Sequence, residues 1–340
     1  MKKIIKIMLL ATAVCSMAVA QSMDEYGQGS TMDRAGQTSM NFLQIGASPA
    51  IAGRGNVYTA IGKGAQSIFG NPAGLSEMSS TYEAFVSSTQ WFADIKYLAG
   101  AIAWNTEEYG VFGLHFLTVD YGSIKGAALT DPNVGTENYI LTGDVKNVGA
   151  YSLGLSYTKQ INPKFAMGGT VKYVAQQLGQ LTNTDGSTID NNQGKVAFDL
   201  GLRYYPWKSL SFAMTMRNFS TFVRYQSQSF SLPIVYNIGL GLDVMEVFAP
   251  SSAENTSVLL STEYSHPNNH SARINSGLEA TFSKMFIVRA GYESNHDLLS
   301  WSLGAGIVQN ISDMNLEVDF SYSKVELFGG VNRLSLAVGF

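Results

Sequence analysis

The sequence predicts an all-β fold: a transmembrane antiparallel β-barrel of about fourteen strands with a short N-terminal plug, or hatch. Three observations predict it. Apolar and polar residues alternate along successive segments from about Thr81 to the C-terminal Phe340, the period of a strand whose two faces meet different surroundings. Only 14% of the chain is charged while 45% is hydrophobic, against the roughly 25% charge usual in soluble domains. Tight joins and long polar stretches also separate the segments in a pattern that sorts connections by side.

Residues 1–20 read as a secretory signal. Lys2, Lys3 and Lys6 precede a short apolar run at 7–14, and Ala18-Val19-Ala20 forms a small-residue cleavage site,. The run is too short to span a bilayer as a helix. Cys15 follows Thr12-Ala13-Val14, a poor lipobox because Val14 is not small. It is the single cysteine of the chain, so cleavage after Ala20 leaves a mature protein with neither disulfide nor thiolate chemistry. The net charge of −4 becomes more negative once the three lysines leave, which argues against a nucleic-acid partner,.

Residues 21–40 are polar and rich in small residues, and are expected to form a flexible periplasmic leader. Residues 41–80 are compact and weakly helical near 57–69, expected to form either a plug or an ordinary periplasmic turn. Gly53, Gly55 and Gly74 would let its backbone turn tightly. Asn71-Pro72 initiates a turn, since a proline pushes the preceding residue out of the helical region.

Residues 81–340 form the barrel. Strand patterns centre near Phe85, Ala99, Leu114, Leu153, Val171, Leu200, Met214, Ile238, Leu260, Asn275, Val288, Gly304, Val318 and Leu336. Several are long enough for a tilted membrane strand of about 9–11 residues. Tight joins fall at Asn162-Pro163-Lys164, Pro206-Trp207-Lys208, Ser283-Lys284 and Asn310-Ile311-Ser312-Asp313, and longer stretches at 120–148, 179–194 and 219–232. An even strand count returns both ends to one side, expected to be the periplasm. Leu334, Leu336, Val338 and Phe340 form a lipid-facing row, and the terminal aromatic is expected to act as an assembly signal for the outer-membrane insertion machinery.

By parity the opposite face carries Lys172, Asp199, Arg203, Arg217, Asp243, Glu263, Arg273, Glu279, Arg289, Glu293, Glu317, Asp319 and Arg333. An Arg or Lys at the lipid midplane costs about 2–4 kcal/mol, so these residues are expected to face the lumen. Either they ion-pair to fill the interior, or they line a substrate path; the first is favoured.

Motifs for chemistry are few. Gly53-Arg54-Gly55 lacks the third glycine and the preceding buried strand of a dinucleotide fingerprint. His266 and His270 are four apart, but Pro267 makes their segment a loop, and no metal is expected there. No cofactor and no catalytic residue is expected.

Residues 41–75 carry a resemblance. Phe42-Leu43 with Ile45-Gly46, Ala52-Gly53 with Gly55, Tyr58-Thr59-Ala60 and Asn71-Pro72-Ala73-Gly74-Leu75 resemble the start of the OmpP1/FadL superfamily of outer-membrane barrels, and more closely its PorV/PorQ branch. Gly62-Lys63-Gly64 departs from that pattern, where acidic residues are more usual. The resemblance implies a non-enzymatic outer-membrane barrel that assists type IX protein secretion or surface attachment by docking secretion components or cargo proteins. The wider superfamily implies the alternative: passive uptake of a hydrophobic small molecule gated by the hatch. A wide polar lumen with the long loops forming a docking rim would favour secretion; a pocket lined by Phe, Leu and Met would favour uptake. The inward charges tilt the expectation towards secretion.

Overall fold

The structure is a computed structural model that describes residues 36–129, 139–182, 188–253, 255–296 and 298–340. The signal and most of the leader expected at 1–40 lie outside the described residues.

Eighteen strands are described: β1 (Tyr82–Gln90), β2 (Lys96–Asn105), β3 (Val111–Asp120), β4 (Lys125–Leu129), β5 (Tyr139–Asp144), β6 (Val148–Asn162), β7 (Phe165–Thr182), β8 (Thr188–Trp207), β9 (Leu210–Ser220), β10 (Val223–Tyr225), β11 (Gln228–Phe230), β12 (Val235–Asp243), β13 (Thr256–Pro267), β14 (Arg273–Phe282), β15 (Phe286–Glu293), β16 (Leu299–Ile311), β17 (Met314–Val325) and β18 (Gly329–Gly339). Fourteen close into one antiparallel barrel, in which every strand pairs with its neighbours in the chain and β1 pairs with β18. The other four form the hairpins β4–β5 and β10–β11 within two connections. Each strand centre expected from the sequence falls inside a different barrel strand. Closure leaves no sheet edge, so every ladder group is paired, the condition for a strand to cross lipid.

The pleat sorts the side chains. Val86, Leu98, Ile102, Leu114, Leu153, Leu200, Val288, Val318 and Leu334 project outward and are exposed on the barrel's outer face, while Lys172, Asp199, Arg203, Glu263, Arg289, Asp319 and Arg333 are buried inside. Aromatic rings mark the margins of the outer band. At one end Phe340 stacks on Tyr82 (5.6 Å), Tyr82 on Trp104 (6.3 Å), Trp104 meets Phe112 (6.3 Å) and Phe112 meets Tyr157 (5.0 Å). Tyr151 with Tyr173 and Trp301 with Tyr322 lie towards the other end. Two such girdles bracket the lipid-facing band of an outer-membrane barrel.

Connections sort by end. Residues 121–147, 183–187 and 221–234 join strands at one end, here the loop end. The joins at 163–164, 208–209, 283–285 and 312–313 lie at the other, the turn end, where β1 starts and β18 finishes. The expected pattern holds in part, since the connections 91–95, 268–272, 294–298 and 326–328 are short yet lie at the loop end, and one long connection lies at the turn end. Residues 244–255 are long yet lie at the turn end, where Asp243 caps the short helix Val244–Phe248 by accepting from the Met245 amide at 2.9 Å. The alternation of β12 runs directly into this helix without a turn signal, which hid it.

Phe340 sits at the seam. Its amide donates to the Tyr82 carbonyl (2.9 Å), and the Tyr82 amide donates to the Phe340 carbonyl (2.8 Å). Deleting Phe340 removes both bonds and the ring stack, a loss of about 2–4 kcal/mol at the closing edge. The expected result is loss of most heat-modifiable protein from the outer-membrane fraction, read by semi-native electrophoresis. Undiminished heat-modifiable protein from the deletion would count against a role for this residue in assembly.

Candidate functional site: the filled lumen

Residues 38–80 lie inside the barrel. Ser48 starts a single α-helical turn, Pro49–Ala52, with its side chain accepting from the Ile51 amide. Two 3-10 turns follow at Ala65–Phe69 and Pro72–Glu77. The weak helical pattern expected over 57–69 is therefore confined to its last five residues, because Gly62 and Gly64 interrupt it. The boundary drawn at residue 40 also shifts: Thr38, Ser39 and Met40 are buried among barrel residues, where Asn269 donates to Thr38 Oγ1 at 2.9 Å.

Glycines bring this segment against the wall. Gly55 has φ +68, and a Cβ there would stand 2.7 Å from the Tyr292 amide nitrogen of β15. Gly53 has ordinary helical φ and needs space, not backbone freedom: its Cβ would stand 3.0 Å from Gly304 Cα of β16. Gly74 packs on the Gly62 carbonyl in the same way, with 2.6 Å to an added Cβ. Asn71 is extended ahead of Pro72. Its side chain accepts from the Ala73 amide (3.0 Å) and donates to the carbonyls of Thr59 (2.7 Å) and Leu202 (3.3 Å).

Lumen charges hold the segment's backbone. Glu263 accepts from the amides of Tyr58 (3.0 Å) and Thr59 (2.8 Å). Arg203 donates to the Gly62 carbonyl (2.6 Å), and Arg217 to the Leu43 carbonyl (3.1 Å) and the Tyr58 hydroxyl (2.6 Å). Arg333 donates to the Gly46 carbonyl (3.1 Å) and lies over the Trp91 ring. Glu293 accepts from Asn56 (2.8 Å), and Glu83 from the Ala65 amide (2.9 Å). Irregular backbone at membrane depth requires such partners.

A second group is a charge network on the wall. Arg289 donates to Glu279 (2.6 Å), to Asp319 and to Glu317 (3.4 Å), and Arg54 of the inner segment donates to the same Glu279 at 2.9 Å. Elsewhere Lys172 pairs with Asp199 (2.6 Å) and donates to Asn218 (2.7 Å), whose amide donates to Asp199. Arg273 is half-buried at the loop end of β14. Among the described residues no His/Cys/Asp/Glu group has a metal-holding arrangement.

The lumen is chemically divided. The strands β14–β17 carry the charge network, whereas the inward faces of β2 and β3 are mainly apolar: Tyr97, Ala99, Ala101 and Ala103, with Val111, Leu117 and Val119, are all buried. Towards the loop end Tyr97, Ala99, Leu117 and Val119 join Val174, Val223 and Leu232 in one apolar cluster, flanked by Trp91, Tyr121 and Tyr225. Met40, Phe42 and Leu43 of the inner segment occupy its middle. Below them a cavity of about 20 Å3 lies between Ile45, Phe69, His115, Ser152 and Lys172, room for about one water where an aromatic hydrocarbon needs on the order of 150 Å3. His115 Nδ1 and Ser152 Oγ beside it lack protein partners.

Sequence reasoning missed Arg54, Tyr58 and this apolar half. Arg54 was hidden in a rejected glycine motif. The apolar half had a signal: in Tyr97-Leu98-Ala99-Gly100-Ala101-Ile102-Ala103 both parities are apolar or small, so this wall segment has no charged inner face.

Comparison with solved structures identifies the fold as that of FadL-type outer-membrane barrels. The chain is similar to the Pseudomonas putida toluene transporter TodX (TM-score 0.55, 12% identity, 86% of this chain and 97% of that one). It is also similar to the Ralstonia pickettii toluene transporter TbuX (0.54, 13%, 86% and 97%) and to a Pseudomonas aeruginosa FadL homologue (0.50, 12%, 86% and 97%). No protein-family profile matches the sequence, and no curated protein does.

Proposed function

We propose that this protein is an outer-membrane channel for passive uptake of a hydrophobic small molecule, with residues 38–80 as its plug. The observation that carries this reading is the apolar, aromatic cluster at the loop end of the lumen, filled by Met40, Phe42 and Leu43 of the chain itself. Side chains of this kind hold a site that an apolar molecule of similar size fits once they withdraw. Proteins of the same fold include toluene transporters, which supports the reading. Docking of proteins in type IX secretion, which the PorV/PorQ resemblance implies, is favoured by a wide polar lumen with the long loops as a docking rim; a lumen packed and apolar at its loop end supports uptake instead.

The inward charges take the first of the roles weighed for them: they pair with one another and with plug backbone. Transport then requires Phe42, Leu43 and Phe69 to leave their places while the wall stays closed.

Uptake by intact cells of N-phenylnaphthylamine, a hydrophobic dye retarded by the outer membrane, tests this. Cells carrying the protein are expected to take up dye severalfold faster than cells without it. Leu117→Asp, which places a charge in the apolar cluster, is expected to abolish the gain while the heat-modifiable barrel remains at normal level. Equal uptake with and without the protein would overturn the proposal.

A further inference from the structure

The outer wall is hollowed beside the seam between β1 and β18. An apolar groove of about 370 Å3 lies there, a volume in the range of roughly 300–1,000 Å3 that holds small molecules. Val86, Leu336 and Val338 form the bank on the seam, where Val86 pairs with Leu336 and Ala84 with Val338. Ile102, Phe116 and Leu153 form the opposite bank on β2, β3 and β6. Two small residues between the banks, Ala84 and Gly100, leave the hollow. Gly100 is bound to stay small, because a Cβ there would run into the Phe116 ring. The floor is strand backbone at Phe85, Ala101 and His115, whose side chains are buried on the inner face. The groove is therefore a feature of the outer surface and no way into the lumen.

Its place along the barrel follows from the aromatic margin. Ala84 stands two residues from Tyr82, Ile102 two from Trp104, and Val338 two from Phe340. Those rings stack along the turn-end margin of the outer band. The groove thus starts at that margin and occupies the half of the band next to the turn end. An outer-membrane barrel turns its short connections to the periplasm, where the facing leaflet is phospholipid. Beyond the same margin both signs of charge are present: Lys159 of β6 donates to the Glu108 carbonyl, and Glu107 and Glu108 are exposed in that turn.

We propose that this groove is a binding site for one acyl chain of a zwitterionic phospholipid of the turn-end leaflet, laid across the β1–β18 seam. The head group then meets the margin where Lys159, Glu107 and Glu108 offer a partner to each of its charges. In hydrocarbon the hydrophobic effect holds nothing, and a chain is held by dispersion contacts alone. A hollow with two banks and a floor supplies more of these than a convex wall, which touches a chain on one side. A chain seated there touches both terminal strands and so braces the contact that closes the barrel. This inference does not depend on what the barrel carries.

Native mass spectrometry of the protein purified in detergent, with phosphatidylethanolamine added, tests this. One lipid per barrel is expected to stay bound at collision energies that strip all others. Ala84→Leu fills the groove and is expected to lose that lipid. Ala280→Leu adds the same bulk to the outward face of β14, away from the seam, and is expected to keep it. Ala84→Cys in a Cys15→Ala background, reacted with butyl methanethiosulfonate after folding, fills the groove of a barrel already closed. It is expected to lose the lipid as well, so the test stands even where Ala84→Leu does not fold. Added phosphatidylethanolamine should also raise the temperature at which the wild type and Ala280→Leu lose their compact electrophoretic form, and leave the groove-filled barrel unchanged. The proposal is overturned if the wild type retains no lipid, if the groove-filled barrel retains it, or if Ala280→Leu loses it equally. Retention of lipid A in preference to phosphatidylethanolamine would overturn it too.

Discussion

Replacing Arg289 with methionine is expected to lower the barrel's stability by about 3–5 kcal/mol, the usual cost of stranding buried charges by removing one partner. Arg289 is the hub of the wall network: its guanidinium donates to Glu279, Asp319 and Glu317. Its side chain is 3% exposed, as is that of Asp319. Without it three carboxylates share Arg54 as their remaining network cation, and Arg54 is bonded to Glu279. The temperature at which the barrel loses its compact electrophoretic form should fall markedly. Combining Arg289→Met with Asp319→Asn removes one stranded charge and should recover part of the loss, because residues in one network are not additive. Equal transition temperatures for wild type and Arg289→Met would show that water already compensates this network.

The second large effect is expected from removing residues 38–70. The wall keeps its closed ladder, and ladder pairing is the main support of a membrane barrel. The lumen loses the segment that fills it. Arg203, Arg217, Glu263 and Glu293 exchange their partners in the inner segment for water, which a widened polar lumen supplies. Planar-bilayer recordings should therefore change from near silence in the intact protein to stable open steps in the shortened one. Silence in both would mean that the wall side chains or the loops, not residues 38–70, close the lumen.

Much of the wall was legible because a strand's period is two. Val196, Phe198, Leu200 and Leu202 alternate with Ala197, Asp199, Gly201 and Arg203, and that pattern alone assigns each to lipid or lumen. Fourteen strand positions and the placing of 120–148 and 219–232 at one end followed from it, whereas the stretch expected at 179–194 is mostly a continuation of β7 and β8. The site was less legible for a physical reason. Parity tells which face a residue occupies but not what opposes it there. That Glu263 receives Tyr58 and Thr59, or that Arg54 reaches Glu279, depends on contacts more than two hundred residues apart in the chain. The inner segment has too little regular structure for any period to mark its direction through the lumen. The connection at 244–255 was missed because its helix is a single capped turn. The apolar inner face of β2 was written plainly in the sequence, but strands with both faces apolar do not announce which one faces lipid.

The pairing of β1 with β18 also sets the order in which the molecule can come together. Every other barrel contact joins strands that are neighbours in the chain, and such hairpins form locally and early. The last contact joins the first strand to the final residues, and non-local closure of this kind is intrinsically slow. Until it forms, both terminal strands present unpaired edges, which invite association with other chains. A chain shortened by its last strand would lack the partner of β1 and leave an open sheet edge in place of a closed wall,.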